Sequence, residues 1–187
     1  ISTFSGIGGS SLGYRMAGFD VRWANEFVSV AARTYRLNHP QTHVDERNIR
    51  TVTAEEILEA VDMKRGELDL LDGSPPCGAF STAGKIEEGW GKRTDHGNGR
   101  FDRADDLFFE YVRLLDGLQP KVFLAENVKG LVTGKSKGYF LLILQALKDC
   151  GYQVKAKILD AQWLGVPQRR QRVIFIGVRR DLDLEPV

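Results

Sequence analysis

The chain has 187 residues, enough for one domain with a substantial core, and is read as one unit over 1–187. Its 26 basic and 25 acidic residues leave a net charge of +1, which excludes a global field that would by itself gather nucleic acid or a membrane. Two cysteines, Cys77 and Cys150, exclude a disulfide framework, and His39, His43 and His96 lack ligand spacing, so no structural metal is expected. With no signal peptide or long apolar span in the sequence, a cytoplasmic location is expected.

The chain opens at Ile1 inside an expected strand (1–4), which reads as a first strand that has lost its opening residues. Gly6-Ile7-Gly8-Gly9 follows, then a helix over 10–17 closed by Gly18. A strand is expected over 19–25 and a helix over 28–37 that stops near Pro40. A weak strand (44–49) leads to a short helix (54–61) with Glu55 and Glu56 in its first turn. The apolar run at 68–71 is the next strand. Polarity changes sharply between Gly84 and Asp106, a stretch that reads as a long mobile loop with Trp90 and Phe101 as its few large apolar groups. A helix (107–118), a strand (122–125) entering Glu126-Asn127-Val128, a helix (139–147) and two final strands (152–159 and 173–178) complete the pattern. The last two are expected as an antiparallel pair at one edge. The alternation implies an α/β fold of Rossmann-like type, a mostly parallel sheet with helices on both faces.

In such a sheet ligands bind beyond the carboxyl ends of the strands. After the first strand, glycines at 6, 8 and 9 allow close approach of a ligand to the backbone. After the second comes Glu26, a carboxylate able to accept both hydroxyls of a ribose. The dinucleotide fingerprint fits poorly, because Ser11 takes the third glycine's place, so a nucleoside ligand without pyrophosphate and a merely tight turn both stay open. After the fourth strand, Ser74-Pro75-Pro76-Cys77 holds a thiol on a stiffened turn, either a nucleophile or a packed small hydrophobe. Near the last strand, arginines at 169, 170, 172, 179 and 180 form either a solvated basic edge or a phosphate or carbonyl clamp. Strand alternation would set Arg170 and Arg172 on one face. Cys150, Trp23, Phe108 and Phe109 read as packing residues, and Asn127 as a structural hydrogen bonder.

Together these residues resemble the DNA cytosine-5 methyltransferases. Phe4-Ser5-Gly6-Ile7-Gly8-Gly9 is similar to that family's first motif and Asn25-Glu26-Phe27 to its second. Pro75-Pro76-Cys77 resembles the nucleophile motif, Glu126-Asn127-Val128 the ENV motif, and Gln168-x-Arg170-x-Arg172 the QxRxR motif, in the same order across nearly the whole chain.

The resemblance implies a class I fold, S-adenosylmethionine as cofactor and double-stranded DNA as partner. Cys77 would add to C6 of a flipped-out cytosine, Glu126 would donate to N3, Arg172 would hold O2, and Arg170 would position it or the backbone. Around the cofactor it implies Phe4, Gly6, Ile7, Gly8, Gly9, Glu26, Phe27, Asn48, Ile49, Pro76 and Leu107. Asn48 stands where the family usually has aspartate, which implies weaker adenine contact. Gly78 stands where glutamine is common, which removes an amide that would touch DNA or order the loop from 78 to 103. The target-recognition region and two last motifs of the family are expected from a further stretch of chain or a second polypeptide, and residues 1–187 alone are expected to be weakly active or inactive. A bacterial or phage restriction-modification setting follows by resemblance only. A tRNA cytosine-5 methyltransferase, and a catalytically silent nucleic-acid-binding subunit, are the alternatives.

Overall fold

The computed structural model describes residues 1–76, 107–133 and 137–186, together with the backbone at 94–95 and 101–102. In chain order the elements are β1 (Ser2–Thr3), α1 (Gly9–Met16), β2 (Trp23–Asn25), α2 (Ser29–Asn38), β3 (His43–Asp45), α3 (Ala54–Val61) and β4 (Leu70–Gly73). They continue with β5 (Thr94–Asp95), β6 (Phe101–Asp102), α4 (Leu107–Leu118), β7 (Val122–Val128), α5 (Lys137–Asp149), β8 (Tyr152–Asp160) and β9 (Gln171–Arg179). Seven strands form one sheet in the order β3-β2-β1-β4-β7-β9-β8. β2, β1, β4 and β7 pair in parallel, whereas β9 runs antiparallel to both β7 and β8. The reversed strand therefore sits second from the edge, with β8 outside it. Strand order reverses between β1 and β4, the point at which a doubly wound sheet opens a crevice for ligands.

Several boundaries differ from the expectation, each because a partner and not local propensity defines a strand. β4 starts at Leu70 and runs to Gly73, since its ladder to β1 is Ser2↔Asp72 and Thr3↔Gly73. Gly73 suits that place: a Cβ there would sit 2.5 Å from the Tyr111 ring and 2.6 Å from the Thr3 hydroxyl. β2 begins only at Trp23. β3 ends at Asp45, and Asn48 instead caps a 3-10 turn over Ile49–Thr51 by accepting from the Arg50 N–H. β7 extends through Val128 because β9 supplies partners as far as Arg172. Within the stretch expected as a mobile loop, β5 and β6 form a two-residue antiparallel pair. Cys77, Gly78 and Trp90 lie outside the described residues.

The two faces of the sheet are built differently. Leu71, Phe123 and Phe175 meet α3, α4 and α5 in the main apolar core, to which α4 alone contributes Leu107, Phe108, Tyr111, Leu114, Leu115 and Leu118. Trp23 and Phe108 are buried there as expected, whereas Phe109 is partly exposed and packs edge-on against Tyr139. α3 begins with a reciprocal cap: Thr53 accepts from the Glu56 N–H while the Glu56 carboxylate accepts from the Thr53 N–H. On the other face the apolar cluster is small, Ala24, Ala32, Tyr35 and Val44, and hydrogen bonds do much of the joining. No described helix is long and apolar enough to cross a membrane.

Candidate active site

At the carboxyl end of β1 the chain turns sharply. Phe4 adopts φ +53°, a left-handed conformation that costs a bulky side chain energy, and Gly6 and Gly8 follow at +55° and +93°. Two groups hold the turn from the β2 side. The Ser5 hydroxyl donates to the Asn25 carbonyl at 3.1 Å, and the Glu26 carboxylate accepts the Gly6 N–H at 2.8 Å through Oε2. Its Oε1 accepts the Val28 N–H at 2.7 Å. Glu26 is buried, yet a carboxylate has about four acceptor sites, so two remain for a further pair of donors.

These residues open onto a cavity of about 210 Å³ lined by Phe4, Asn25, Glu26, Phe27, Val28, Asn48, Ile49, Ser74, Pro76 and Leu107. Seven of the eleven residues assigned by resemblance to the cofactor thus share one pocket at the ends of β1 to β4 and the start of α4. Gly6, Ile7, Gly8 and Gly9 form the turn beside it, and the Ile7 side chain is exposed. The size suits a nucleoside more than a dinucleotide, since pockets for drug-sized ligands begin at roughly 300 Å³. A carboxylate with two free acceptor sites and an aromatic wall fit a ribose and a base.

The far wall is braced. Asn25 Nδ2 donates to the carbonyls of Asp45 and Arg47, and Arg113 Nη2 donates to those of Ile49 and Val52. Arg47 bridges Asp45 and Glu56 at 2.8 Å each. Burial alone would raise the Asp45 carboxyl, but the side-chain and backbone hydrogen bonds from Arg47 outweigh it and hold it below its ordinary range.

A second group lies at the end of β7. Asn127, buried, donates from Nδ2 to the Pro75 carbonyl at 3.1 Å and accepts the Val128 N–H. It anchors the stiff turn before Cys77 to β7. Alternation puts Glu126 on the opposite face, and the register sets Arg172 opposite Val128, hence diagonal to Glu126 and within reach of a long side chain. The guanidinium Nε meets Glu126 Oε1 at 2.7 Å, with both side chains a quarter exposed. Arg170 precedes β9; its N–H donates to Asp160, and its exposed side chain lines an open basic hollow with Lys129, Arg169 and Arg172. Arg170 and Arg172 therefore share a surface, but Arg172 is the one paired with Glu126.

One residue escaped the sequence reading. Asp72 is buried beneath the glycine turn and accepts hydroxyls from Ser2 at 2.8 Å, Ser10 at 2.9 Å and Tyr14 at 3.0 Å. Burial raises its carboxyl above the ordinary range despite those three donors. Ser10 and Tyr14, four apart on α1, were the available signal. Cys150 is packing: burial, then the nearby Asp116 and Asp149, push its thiol up to about 11.

This sheet order, the pocket at the switch point and the carboxylate at the end of β2 define a Rossmann-like class I methyltransferase domain. The C-5 cytosine-specific DNA methylase family model matches residues 1–187, and the chain belongs to that family. It is 38% identical over 185 residues to the type II methyltransferase M.NgoPII of Neisseria gonorrhoeae, covering 99% of this chain and 49% of that protein. It is 37% identical to M.AquIA of Picosynechococcus, covering 96% of this chain and 71% of the relative. A solved structure of a protein inferred to be a DNA modification methyltransferase, encoded within an Escherichia coli prophage, superposes with a TM-score of 0.80 at 30% identity, over 100% of this chain and 48% of that one. The chain thus spans about half the length of M.NgoPII and of the prophage protein.

Proposed function

We propose that the protein transfers a methyl group from S-adenosylmethionine to C5 of a cytosine flipped out of double-stranded DNA, through a Cys77 adduct at C6. One observation carries the proposal. Asn127 ties the Pro75 carbonyl to β7, the strand whose end carries the Glu126–Arg172 pair, while the adjoining Pro76 lines the nucleoside pocket. The next residue after Pro76 is Cys77. With the Cys150 thiol raised by burial, Cys77 is the cysteine left for nucleophilic work.

In this reading Phe4, Phe27, Asn48, Ile49 and Leu107 hold the adenine, Glu26 accepts the ribose hydroxyls, and the 6–9 turn lies against the amino-acid end. S-adenosylmethionine bound there supplies an electrophilic methyl for carbon. The Cys77 thiolate forms an S–C6 bond and shifts the C5–C6 electron pair onto C5. Negative charge moves toward N3 and O2 of the ring. Glu126 gives a proton to N3, and the Arg172 guanidinium stabilises O2. C5 would take the methyl with that electron pair as the methyl–sulfur bond breaks to leave a thioether; loss of the C5 proton to water then returns an electron pair that expels the Cys77 thiolate, and N3 gives its proton back to Glu126. Arg170 and Arg169, on the open hollow, meet the backbone phosphates. Flipping costs roughly a few kcal/mol of unstacking. We assign readout of the flanking sequence to a region beyond these 187 residues, on the same polypeptide or a second.

The test is adduct formation on DNA containing 5-fluorocytosine, which cannot lose the C5 substituent. The full-length protein with S-adenosylmethionine is expected to give a denaturation-stable adduct, and Cys77→Ser none. Equal trapping by the serine variant refutes the nucleophile. Methyl transfer to tRNA in preference to duplex DNA moves the assignment to the RNA substrate.

A further inference from the structure

The turn that carries the cofactor glycines is gripped on its outer side by α2. His39, directly after that helix and 2% exposed, places Nε2 at 2.9 Å from the Gly8 carbonyl oxygen. A carbonyl only accepts, so the ring proton resides on Nε2. Nδ1 is buried and has no hydrogen-bond partner among the described residues. The ring leans on Tyr35, centroids 4.7 Å apart, and the Tyr35 hydroxyl is itself bonded to Ser11 of α1 at 2.8 Å. The preceding residue repeats the motif: Asn38 Nδ2 donates to the Ile7 carbonyl at 3.0 Å. Consecutive carbonyls of the turn are therefore drawn toward consecutive side chains.

A trans peptide points its C=O and N–H in opposite directions. Fixing the Ile7 oxygen toward Asn38 leaves the Gly8 N–H to meet the Ser5 carbonyl, at 3.0 Å. The Gly8 oxygen accepts the Leu12 N–H of α1 at 2.9 Å as well as meeting His39, so His39 is the side-chain member of two donors that together aim the Gly9 N–H away from α2. His39 also fills the space that any side chain at position 8 would need, its ring lying 2.4 Å from where a Cβ would stand.

We infer that His39, assisted by Asn38, is a positioning residue for cofactor binding: its Nε2–H locks the peptide orientation of the Gly8-Gly9 turn. The inference rests on the methyltransferase reading. It separates the histidine's role from general packing, because what matters is the side-chain donor added to an oxygen that the Leu12 N–H already holds from α1. A glutamine, whose side-chain Nε2 can take that place, preserves the lock, whereas alanine leaves the Gly8 oxygen to the Leu12 N–H alone and loosens it.

The experiment measures S-adenosylhomocysteine affinity and steady-state constants on the full-length protein for His39→Ala, His39→Gln and Asn38→Ala. His39→Ala is expected to weaken S-adenosylhomocysteine binding about tenfold, and Asn38→Ala about threefold. His39→Gln is expected within about threefold of wild type. In all three the KM for S-adenosylmethionine carries the loss while kcat at saturating cofactor and DNA affinity hold. His39→Gln as weak as His39→Ala, or a loss confined to kcat, overturns the inference. If His39→Ala does not fold, Asn38→Ala decides, since its side chain is at the surface and wild-type affinity there refutes the lock. A wild-type protein that binds no S-adenosylhomocysteine fails the methyltransferase reading itself. Wild-type binding with unaffected variants fails only the lock.

Discussion

Glu26→Gln probes the cofactor side at one atom. In the native turn each carboxylate oxygen accepts one backbone N–H, from Gly6 at 2.8 Å and Val28 at 2.7 Å, in a site where Glu26 is 8% exposed. Glutamine keeps the size but offers one oxygen and one NH2. One of the two backbone donors must then face a donor, with little water to replace the lost partner. Losing a charge-assisted hydrogen bond there costs about 1.5–3 kcal/mol. The cost divides between the fold, whose turn is loosened, and the ligand, whose ribose loses a charged acceptor. If half falls on stability, melting drops by about 2–6 °C for a domain of this size. If half falls on binding, the dissociation constant for S-adenosylhomocysteine rises about 4–13-fold. Calorimetric titration and a thermal melt on the same preparation give both numbers. Binding within about twofold of wild type, with an unchanged melt, would show that the two N–H bonds neither shape the turn nor prepare the pocket.

At the end of β7, Glu126→Gln keeps an acceptor for Arg172 but cannot give up a proton, so kcat is expected to fall by about 10² to 10⁴. S-adenosylhomocysteine affinity should hold, because Glu126 does not line the nucleoside pocket; a stopped assay and a titration separate the two. Asp72→Asn concerns pH. The folded-state carboxyl of Asp72 is raised above its unfolded value, so wild type binds this proton more readily when folded and gains stability as pH falls through that raised value toward the ordinary carboxylate value. The asparagine variant does not titrate there. Its melting temperature relative to wild type should therefore become less favourable as pH falls toward the ordinary carboxylate range, and a difference independent of pH would refute the burial argument.

How far the chain was readable follows from how local each feature is. Glu26 follows the expected second strand, and a parallel sheet delivers the ends of its strands to one side, so its place at the pocket was legible from alternation, whereas Phe4, Asn48 and Pro76 were placed beside it by family resemblance. α4 was legible to the residue because its apolar face repeats at helical spacing. The true length of β7 was not, since its last three residues are strand only by pairing with Val173 and its neighbours on β9, far later in the chain. The Glu126–Arg172 contact hangs on that same register. Asp72 was hidden for a related reason: its donors come from β1 and α1, and none is informative by itself.

These hidden features gather on one face, and the packing explains why. Where α3, α4 and α5 cover the sheet, a large apolar core fixes position through area, which is not directional. Beneath α1 and α2 the apolar cluster is four residues, too few to define an orientation. There Asp72 with three hydroxyls, Tyr35 with Ser11, Glu26 with two amides, and Asn38 and His39 with two carbonyls set the glycine turn by direction and distance. A turn placed by such bonds is held at specific atoms, so single-atom substitutions at its partners are felt by the ligand before they are felt by the fold.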